Sequence, residues 1–570
     1  MKIKIITLFA LSSLLIGCNS DDNAAISKSN FQGVTTVETE YGTIQGTDDL
    51  NGEVLSWLGV RYAQPPIGDL RWQAPKEPKP FNELRETKQF KDGALRYPVG
   101  GKNLVGSEED SLYLNIWRPN TEEINLPVLL FVHGGGNTGG SAQEFIGNKL
   151  ALSTNSVIIS IDYRLGVLAW FRHPLLNNND NKLNESGNFG LLDIIESLKW
   201  TSKNISHFGG NPENVTLAGQ SAGGTNTLAA MISPLSKDLF DRLIVLSGGM
   251  TLATTDQGND RTIEAITKLV IQNGEADTPE TAALWIKQHN NILEYLRSQP
   301  AEKLPGLYRK SSLSMDGTAY LFKDGVVVPE KGYNVIDSGN YNQVPVMLGS
   351  DKHEYALFSM TDDMRILGAL MTGDLFKPSG KLLLDSYLKS SKYGNMIYSA
   401  YNAEKSARKL LTNDNQPPIY GFRFSWGEQQ DVIKLPIKML NLSARHGADM
   451  EFITGNFTDP FSMMLGKALH SDDNKIGREK LSKSMMNYIG EFMKNGSPNG
   501  LGNVYWSSFG KDNEQLLKLD ADLNDKSIEM TDEVYDKKKV LSIMTDELSE
   551  KDLNNILDIN FKGKNIWNNW

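Results

Sequence analysis

The stretch Asn214-Val215-Thr216-Leu217-Ala218-Gly219-Gln220-Ser221-Ala222-Gly223-Gly224 constrains this chain more than any other. Four residues of strand character, 215–218, run into Gly-x-Ser-x-Gly, and small residues then open a helix that reaches Ile232 before Ser233-Pro234 stops it. Glycines at i−2 and i+2 suit a turn too tight for bulky neighbours, and strand–turn–helix is the setting of a nucleophile elbow. The serine hydroxyl then projects above a sheet with a helix N-terminus behind it. Five residues alone decide little, since a chain of this size and glycine content supplies about 0.3 such matches by chance. The rest of the chain has to provide the partners.

From residue 126 onward, buried strands alternate with helices. Val128-Leu129-Leu130-Phe131-Val132 and Val157-Ile158-Ile159-Ser160-Ile161 are unbroken apolar runs, with a helix expected between them over 141–154. Leu191, Leu192, Ile194, Ile195, Leu198 and Ile205 recur at helical spacing. Leu243-Ile244-Val245-Leu246, Val344-Pro345-Val346-Met347-Leu348 and Tyr420-Gly421-Phe422-Arg423-Phe424 continue the series. This alternation predicts an α/β fold with a central, mostly parallel sheet covered by helices on both faces. Residues 34–62 predict two or three short N-terminal antiparallel strands broken at Tyr41-Gly42 and Asn51-Gly52, and 111–118 alternate as another strand. Residues 75–107 read as surface loop. The block 251–343 interrupts the rhythm with helices near 260–273 and 279–297, which predicts a helical cap over the carboxyl edge of the sheet. Residues 357–412 are again mainly helical, 177–184 are an asparagine-rich loop, and 546–570 read as a charged C-terminal tail containing Trp567 and Trp570. One catalytic domain over 31–545 accounts for the rest.

Hydrophobic residues make up 39% of the 570, enough for a sizeable core, and a net charge of −11 argues against nucleic acid as a partner. At the N-terminus, Lys2 and Lys4 precede the apolar run 5–16, which is too short for a membrane span and reads as a signal peptide over 1–17. Leu15-Ile16-Gly17-Cys18 resembles a bacterial lipobox, so Cys18 is the expected site of lipid attachment and the mature N-terminus. Cys18 is the only cysteine, which leaves no structural disulfide or thiolate metal site for it to serve. Residues 18–30 then form a flexible tether. The expectation is an exported protein, lipid-anchored to a bacterial cell envelope on the periplasmic side or outer surface.

Reacting groups in open α/β sheets gather at the carboxyl ends of strands. Four segments qualify: the elbow, His133-Gly134-Gly135-Gly136, Gly349-Ser350-Asp351-Lys352-His353-Glu354, and Ala444-Arg445-His446-Gly447. A serine hydroxyl needs a general base, and the base needs a group that fixes its tautomer. Of seven histidines, His446 alone combines a loop setting with a place after a candidate acid, while Asp351 and Glu354 are both plausible acids. Unobstructed N–H groups of Gly135, Gly136 and Ala222 suit an oxyanion, each worth about 3–4 kcal/mol in comparable sites. No Gly-Lys-Ser/Thr follows the glycine run and no His-Glu-x-x-His occurs, so neither a phosphate-binding cofactor nor a metal is expected.

Further segments appear in one family's order. Pro65-Pro66-Ile67-Gly68-Asp69-Leu70-Arg71-Trp72 and Ser107-Glu108-Glu109-Asp110-Ser111-Leu112-Tyr113-Leu114-Asn115-Ile116 precede His133-Gly134-Gly135-Gly136 and Asp162-Tyr163-Arg164-Leu165-Gly166. Gly187-Asn188-Phe189-Gly190-Leu191-Leu192-Asp193 and Phe208-Gly209-Gly210-Asn211-Pro212 then lead to the elbow, and Gly496-Ser497-Pro498-Asn499 and Trp506 lie near the end. From about 34 to 540 the chain resembles a type-B carboxylesterase, the cholinesterase-like branch of the α/β-hydrolases. The resemblance implies that fold, a small-molecule ester substrate, no cofactor, and a triad of Ser221, Glu354 and His446 with Gly135, Gly136 and Ala222 as oxyanion donors. It favours Glu354 over Asp351.

The departures from the family pattern concern selectivity. Ser111 stands at a cysteine position, Gln220 at one often held by glutamate, and His353 and Tyr355 where Asp and Gly are usual. Ala169-Trp170 replaces a common Gly-Phe and is expected to narrow the acyl pocket. Residues 75–107 contain no tryptophan to hold a choline ammonium, so cationic esters are not the expected substrates. A lipase, thioesterase or carbamate hydrolase with the same triad is the neighbouring alternative. A non-catalytic, neuroligin-like binding protein is the remote one, because such members usually lose a triad residue.

Overall fold

Apolar residues at successive positions of a strand face opposite sides of its sheet, so the unbroken runs require cover on both faces. The computed structural model describes residues 34–96, 106–174, 181–308, 321–435, 437–500 and 502–558. Among them, one sheet contains β1 (Thr47–Asp49), β2 (Val54–Arg61), β3 (Tyr113–Pro119), β4 (Leu126–Val132), β5 (Val157–Ile161) and β6 (Gly210–Gln220). It continues with β7 (Arg242–Leu246), β8 (Val346–Asp351), β9 (Ile419–Phe424), β10 (Leu516–Ala521) and β11 (Lys526–Thr531). The spatial order is β11-β10-β9-β8-β7-β6-β4-β5-β3-β2-β1. Strands β4 to β10 are parallel, while β1, β2, β3 and β11 pair antiparallel at the two edges.

Alternate residues of the central strands divide between two cores. Leu130, Val132, Leu217, Val245 and Leu348 pack with Ile194, Ile195 and Leu198 of the helix Phe189–Asn204. Leu129, Phe131, Ala218, Ile244 and Met347 pack with Leu481, Met485 and Ile489 of the helix Lys475–Asn495. Each large aliphatic side chain buried in this way contributes about 1.5–3 kcal/mol.

Several expectations are sharpened. The N-terminal region holds four strands, because Thr36–Thr39 and Gly42–Gln45 form a separate hairpin while β1 and β2 extend the main sheet. Between β7 and β8 lie the helices Thr255–Gln272, Pro279–Gln288 and Ile292–Arg297. The first two open with Thr254 and Thr278, each accepting a hydrogen bond from the N3 backbone N–H. The boundary at 545 needs correction. It falls inside the helix Lys537–Glu547, and Glu550–Ile556 follows. Val540, Met544 and Ile556 are buried against Tyr355, Ile397 and Tyr398, so this segment is packed structure whose charged outer face dominates its composition. The segments expected to be a signal peptide (1–17) and a tether (18–30) with Cys18, part of the 177–184 loop, and Trp567 and Trp570 lie outside the described residues.

The parallel registers bring the functional segments to one edge. Val132 pairs with Gly219, Gln220 with Leu246, and Leu246 with Gly349. His133, Ser221, Ser247 and the 350–354 segment therefore leave adjacent strands at nearly the same level.

Candidate active site

Ser221 joins β6 to the helix Ala222–Ile232 with φ 56° and ψ −123°, a backbone conformation that costs a non-glycine residue about 1–3 kcal/mol. Its surroundings hold it there. The Ser221 N–H donates to Leu246 O at 2.8 Å, and Ser221 O accepts from the Thr225 N–H at 3.0 Å. The two flanking glycines touch: a Cβ at Gly219 would lie 2.5 Å from Gly223 C, and one at Gly223 only 2.1 Å from Val132 O. Glycine is required at both positions by close approach.

Ser221 Oγ lies 2.8 Å from His446 Nε2, and His446 Nδ1 hydrogen-bonds Glu354 Oε2. Nδ1 therefore carries its hydrogen toward the carboxylate and leaves the Nε2 lone pair facing the serine. Glu354 opens the helix Glu354–Asp362 just past β8 and is fully buried. Its Oε1 accepts from Ser350 Oγ at 2.8 Å and from the Asp351 N–H at 3.0 Å. Burial alone would raise the Glu354 carboxyl, but charge and hydrogen bonding from His446, with the serine hydroxyls, hold it below its usual range. The His446 loop is tied to the same strand end where the His353 N–H donates to Ala444 O at 2.9 Å. The Phe358 ring stands 4.9 Å from the imidazole.

Asp351 takes another role: its Oδ2 accepts from the Gly447 N–H at 2.7 Å. His353 and Tyr355, the departures beside the acid, are accommodated by packing. Tyr355 fits because position 394 is glycine, where a Cβ would come within 2.1 Å of the ring, and burial pushes His353 down to about 4, keeping it neutral. Trp170 is fully buried, packed against Gly190 and edge-on to Tyr163.

Beside the elbow, Gly135 (φ +96°) and Gly136 (φ +63°) turn back under Thr138 and Gly139, whose N–H groups both donate to Gly135 O. No hydrogen bond among the described residues uses the N–H of Gly135, Gly136 or Ala222, so these three donors remain available for an oxyanion. The loop is fixed from below. Tyr163 Oη donates to His133 O at 2.8 Å, Asn226 Nδ2 to Asn137 Oδ1 at 2.8 Å, and the Gly166 N–H to Asn137 O at 2.7 Å. Burial pushes His133 down to about 4, so it supports this loop as a neutral ring.

Residue patterns did not single out Asn137, Asn226, Ser247 or Asp449. Ser247 directly follows β7 with φ 53° and is among the groups that lower Glu354. The Gln220 amide reaches His446 Nε2 at 3.3 Å and leaves the nucleophile's neighbour uncharged. The only sequence sign of these residues was position: each follows or flanks a segment already marked as a strand end.

Ser221, His446 and the buried Glu354 carboxylate are thus linked in series by hydrogen bonds, and the N–H groups of Gly135, Gly136 and Ala222 are unengaged among the described residues. This arrangement suits acyl transfer through a tetrahedral intermediate. No cluster of potential metal ligands occurs among the described residues. Residues 33–409 and 384–539 match the sequence family described as "Carboxylesterase family". The chain is similar to para-nitrobenzyl esterase of Bacillus subtilis (strain 168), with 28% identity over 518 residues covering 88% of this chain and 99% of the relative. It is also similar to the medium-chain fatty acyl-CoA hydrolase precursor of Anas platyrhynchos, with 28% identity over 523 residues covering 85% and 88%. Among solved structures, a thermophilic PNB esterase superposes with a TM-score of 0.67 at 25% identity, covering 89% of this chain and 99% of the other. A Geobacillus stearothermophilus carboxylesterase shares the fold with a TM-score of 0.65 at 23% identity, covering 87% and 98%.

Proposed function

We propose, from the premise that this chain belongs to the carboxylesterase family and is a serine carboxylic ester hydrolase, that Ser221, His446 and Glu354 carry the reaction through an acyl-serine. The observation that carries this reading is the line from Ser221 Oγ to His446 Nε2, and from His446 Nδ1 to a buried carboxylate. Ser221 Oγ attacks the ester carbonyl as its proton passes to His446 Nε2. Glu354 stabilises the imidazolium, and the N–H groups of Gly135, Gly136 and Ala222 receive the oxyanion. The C–O bond to the alcohol breaks and the alcohol leaves with the proton from Nε2. Water then attacks the acyl-serine by the same route, releasing the acid and restoring the serine.

Neutral esters are the substrate class this site suits. Gln220 supplies no charge beside the nucleophile, and 75–107 hold no tryptophan for an ammonium group. A thioester reading has one point in its favour, the similarity to a fatty acyl-CoA hydrolase. A fluorophosphonate is expected to label wild-type protein at Ser221, one adduct per chain, read by peptide mass. Initial rates on p-nitrophenyl esters of increasing acyl length, beside the matching acyl-CoA series, then separate ester from thioester preference. Labelling elsewhere, or none, overturns the assignment.

The lipobox-like Leu15-Ile16-Gly17-Cys18 supports export and lipid attachment at Cys18, with the enzyme held at the periplasmic side or outer surface of a bacterial envelope. Among the described residues no helix is long and apolar enough to cross a membrane. Expression in a bacterial host with a palmitate analogue should label the wild type and leave Cys18→Ser unlabelled and released from membranes. Equal membrane recovery of both forms overturns the anchor.

A further inference from the structure

Two carboxyl groups behind the Glu354–His446 pair take no part in the chemistry. Asp351 ends β8 and is fully buried; its Oδ2 is taken by the Gly447 N–H, and its Oδ1 has no hydrogen-bond partner. Asp449 opens the helix Asp449–Thr454, three residues past His446. It is also fully buried, and neither of its oxygens has a hydrogen-bond partner. The N–H groups of Asp449 and Met450 lie near that carboxyl without hydrogen-bond geometry.

A buried carboxylate lacking a donor is strongly disfavoured, and these two lie close to a third that must stay ionised to serve its histidine. The charged and titratable groups that face them are few. Glu354 faces both, from the helix after β8; His446 faces Asp449; Arg445 faces Asp351. Arg445 gives partial relief by charge alone: its Nη2 is engaged by Asp459 at 2.5 Å and Ser462 at 3.0 Å, and its buried Nη1 makes no hydrogen bond to either carboxyl. What is missing is one proton: a protonated Asp449 needs an acceptor, and Asp351 Oδ1 is a free one.

We propose that Asp351 and Asp449 hold one proton between them and act as positioning residues for His446. Asp351 fixes the turn at Gly447, and the charge on the pair sets how readily the base gives up its proton. The inference rests on the Glu354–His446 reading above. It agrees with the direction of titration. Burial, followed by charge from Asp449 and Glu354, pushes Asp351 well above the carboxylate range; burial, followed by Glu354, brings Asp449 to about 7. With its proton in place the pair carries one negative charge. When that proton leaves, a second negative charge is added beside the Glu354–His446 pair, and it favours the imidazolium formed in the reaction.

Two measurements on the full chain test this. In wild type the rising limb of kcat/KM against pH, on a neutral ester, should be broader than a single ionisation. In Asp449→Asn or Asp351→Asn it should narrow and move to lower pH by roughly 0.5–1. Separately, infrared difference spectra near pH 6 should show a D2O-sensitive carbonyl band of an un-ionised carboxyl in wild type that loses intensity in either variant. Unchanged limbs in the folded variants overturn the proposal, as does equal band intensity in all three proteins. Should Asp449→Asn not fold, Asp351→Asn gives both readouts. The infrared band does not depend on ester turnover, so a failed pair and a failed triad give different results: the triad is in error if Glu354→Gln leaves turnover intact, whatever the band does.

Discussion

Ser221→Ala is expected to lower kcat for p-nitrophenyl acetate or butyrate by about 10⁶, the effect of removing the nucleophile from a serine triad whose members act as a unit. What remains should still exceed the uncatalysed rate by roughly 10³–10⁴, because the oxyanion donors and the binding surface are untouched. The fold should survive. The bonds that hold the elbow, Ser221 N–H to Leu246 O and Thr225 N–H to Ser221 O, are made by the backbone, and alanine keeps both. The φ of 56° is no worse for alanine than for serine. The lost hydroxyl leaves His446 Nε2 facing the Gln220 amide at 3.3 Å, so the base is not stranded. Circular dichroism and the thermal midpoint should match wild type within a few degrees. Turnover above about one part in a hundred by such a folded variant would remove Ser221 from the mechanism.

How much of this was legible in the sequence differs from residue to residue. The strand cores at 128–132, 157–161 and 243–246 were readable because a parallel strand covered on both faces leaves no polar alternation, and these runs have none. Ser221 was readable because glycine is forced at 219 and 223 by contacts under 2.6 Å, a constraint that appears in the sequence as identity. His446 was legible only as a candidate. Its loop has no periodicity, and it reaches the site through a backbone hydrogen bond from His353 to Ala444, which spacing along the chain does not disclose. Asp351 and Glu354 stand three residues apart at one strand end, so residue type and order left both open. They separate because β8 ends at Asp351 and a helix begins at Glu354, turning one carboxyl to Gly447 and the other to the imidazole. Asp449 lay outside any motif considered, since its significance is burial without partners. The helices Lys537–Glu547 and Glu550–Ile556 were obscured by composition: few of their residues are buried, and the exposed remainder reads as a tail.

Glu354→Gln is expected to lower kcat by about 10⁴ with KM little changed, a cost that comes from tautomer rather than from binding. The amide keeps an oxygen for Ser350 and the Asp351 N–H, as Oε1 does now. It then presents an N–H₂ to His446 Nδ1, so Nδ1 must accept and the imidazole hydrogen moves to Nε2. A nitrogen that already carries hydrogen cannot take the serine proton, and the imidazolium formed in the reaction no longer faces a negative charge. Asp351 does not rescue the variant, because its Oδ2 is committed to the Gly447 N–H. If Asp351 were the acid, the costs would be reversed: Asp351→Asn would lose the 10⁴, and Glu354→Gln would be mild. Stability adds a second, independent readout. The Glu354 carboxyl is held below 4.5 in the folded protein, so its ionised form stabilises the fold above that pH, and the benefit is lost as pH falls through the folded-state value. Wild type should therefore be more stable than Glu354→Gln near neutrality, and chemical denaturation of the two should converge once pH has fallen through the folded-state value of Glu354. A difference that persists unchanged into acid would mean that the carboxylate is held by packing, with no charge shared with His446.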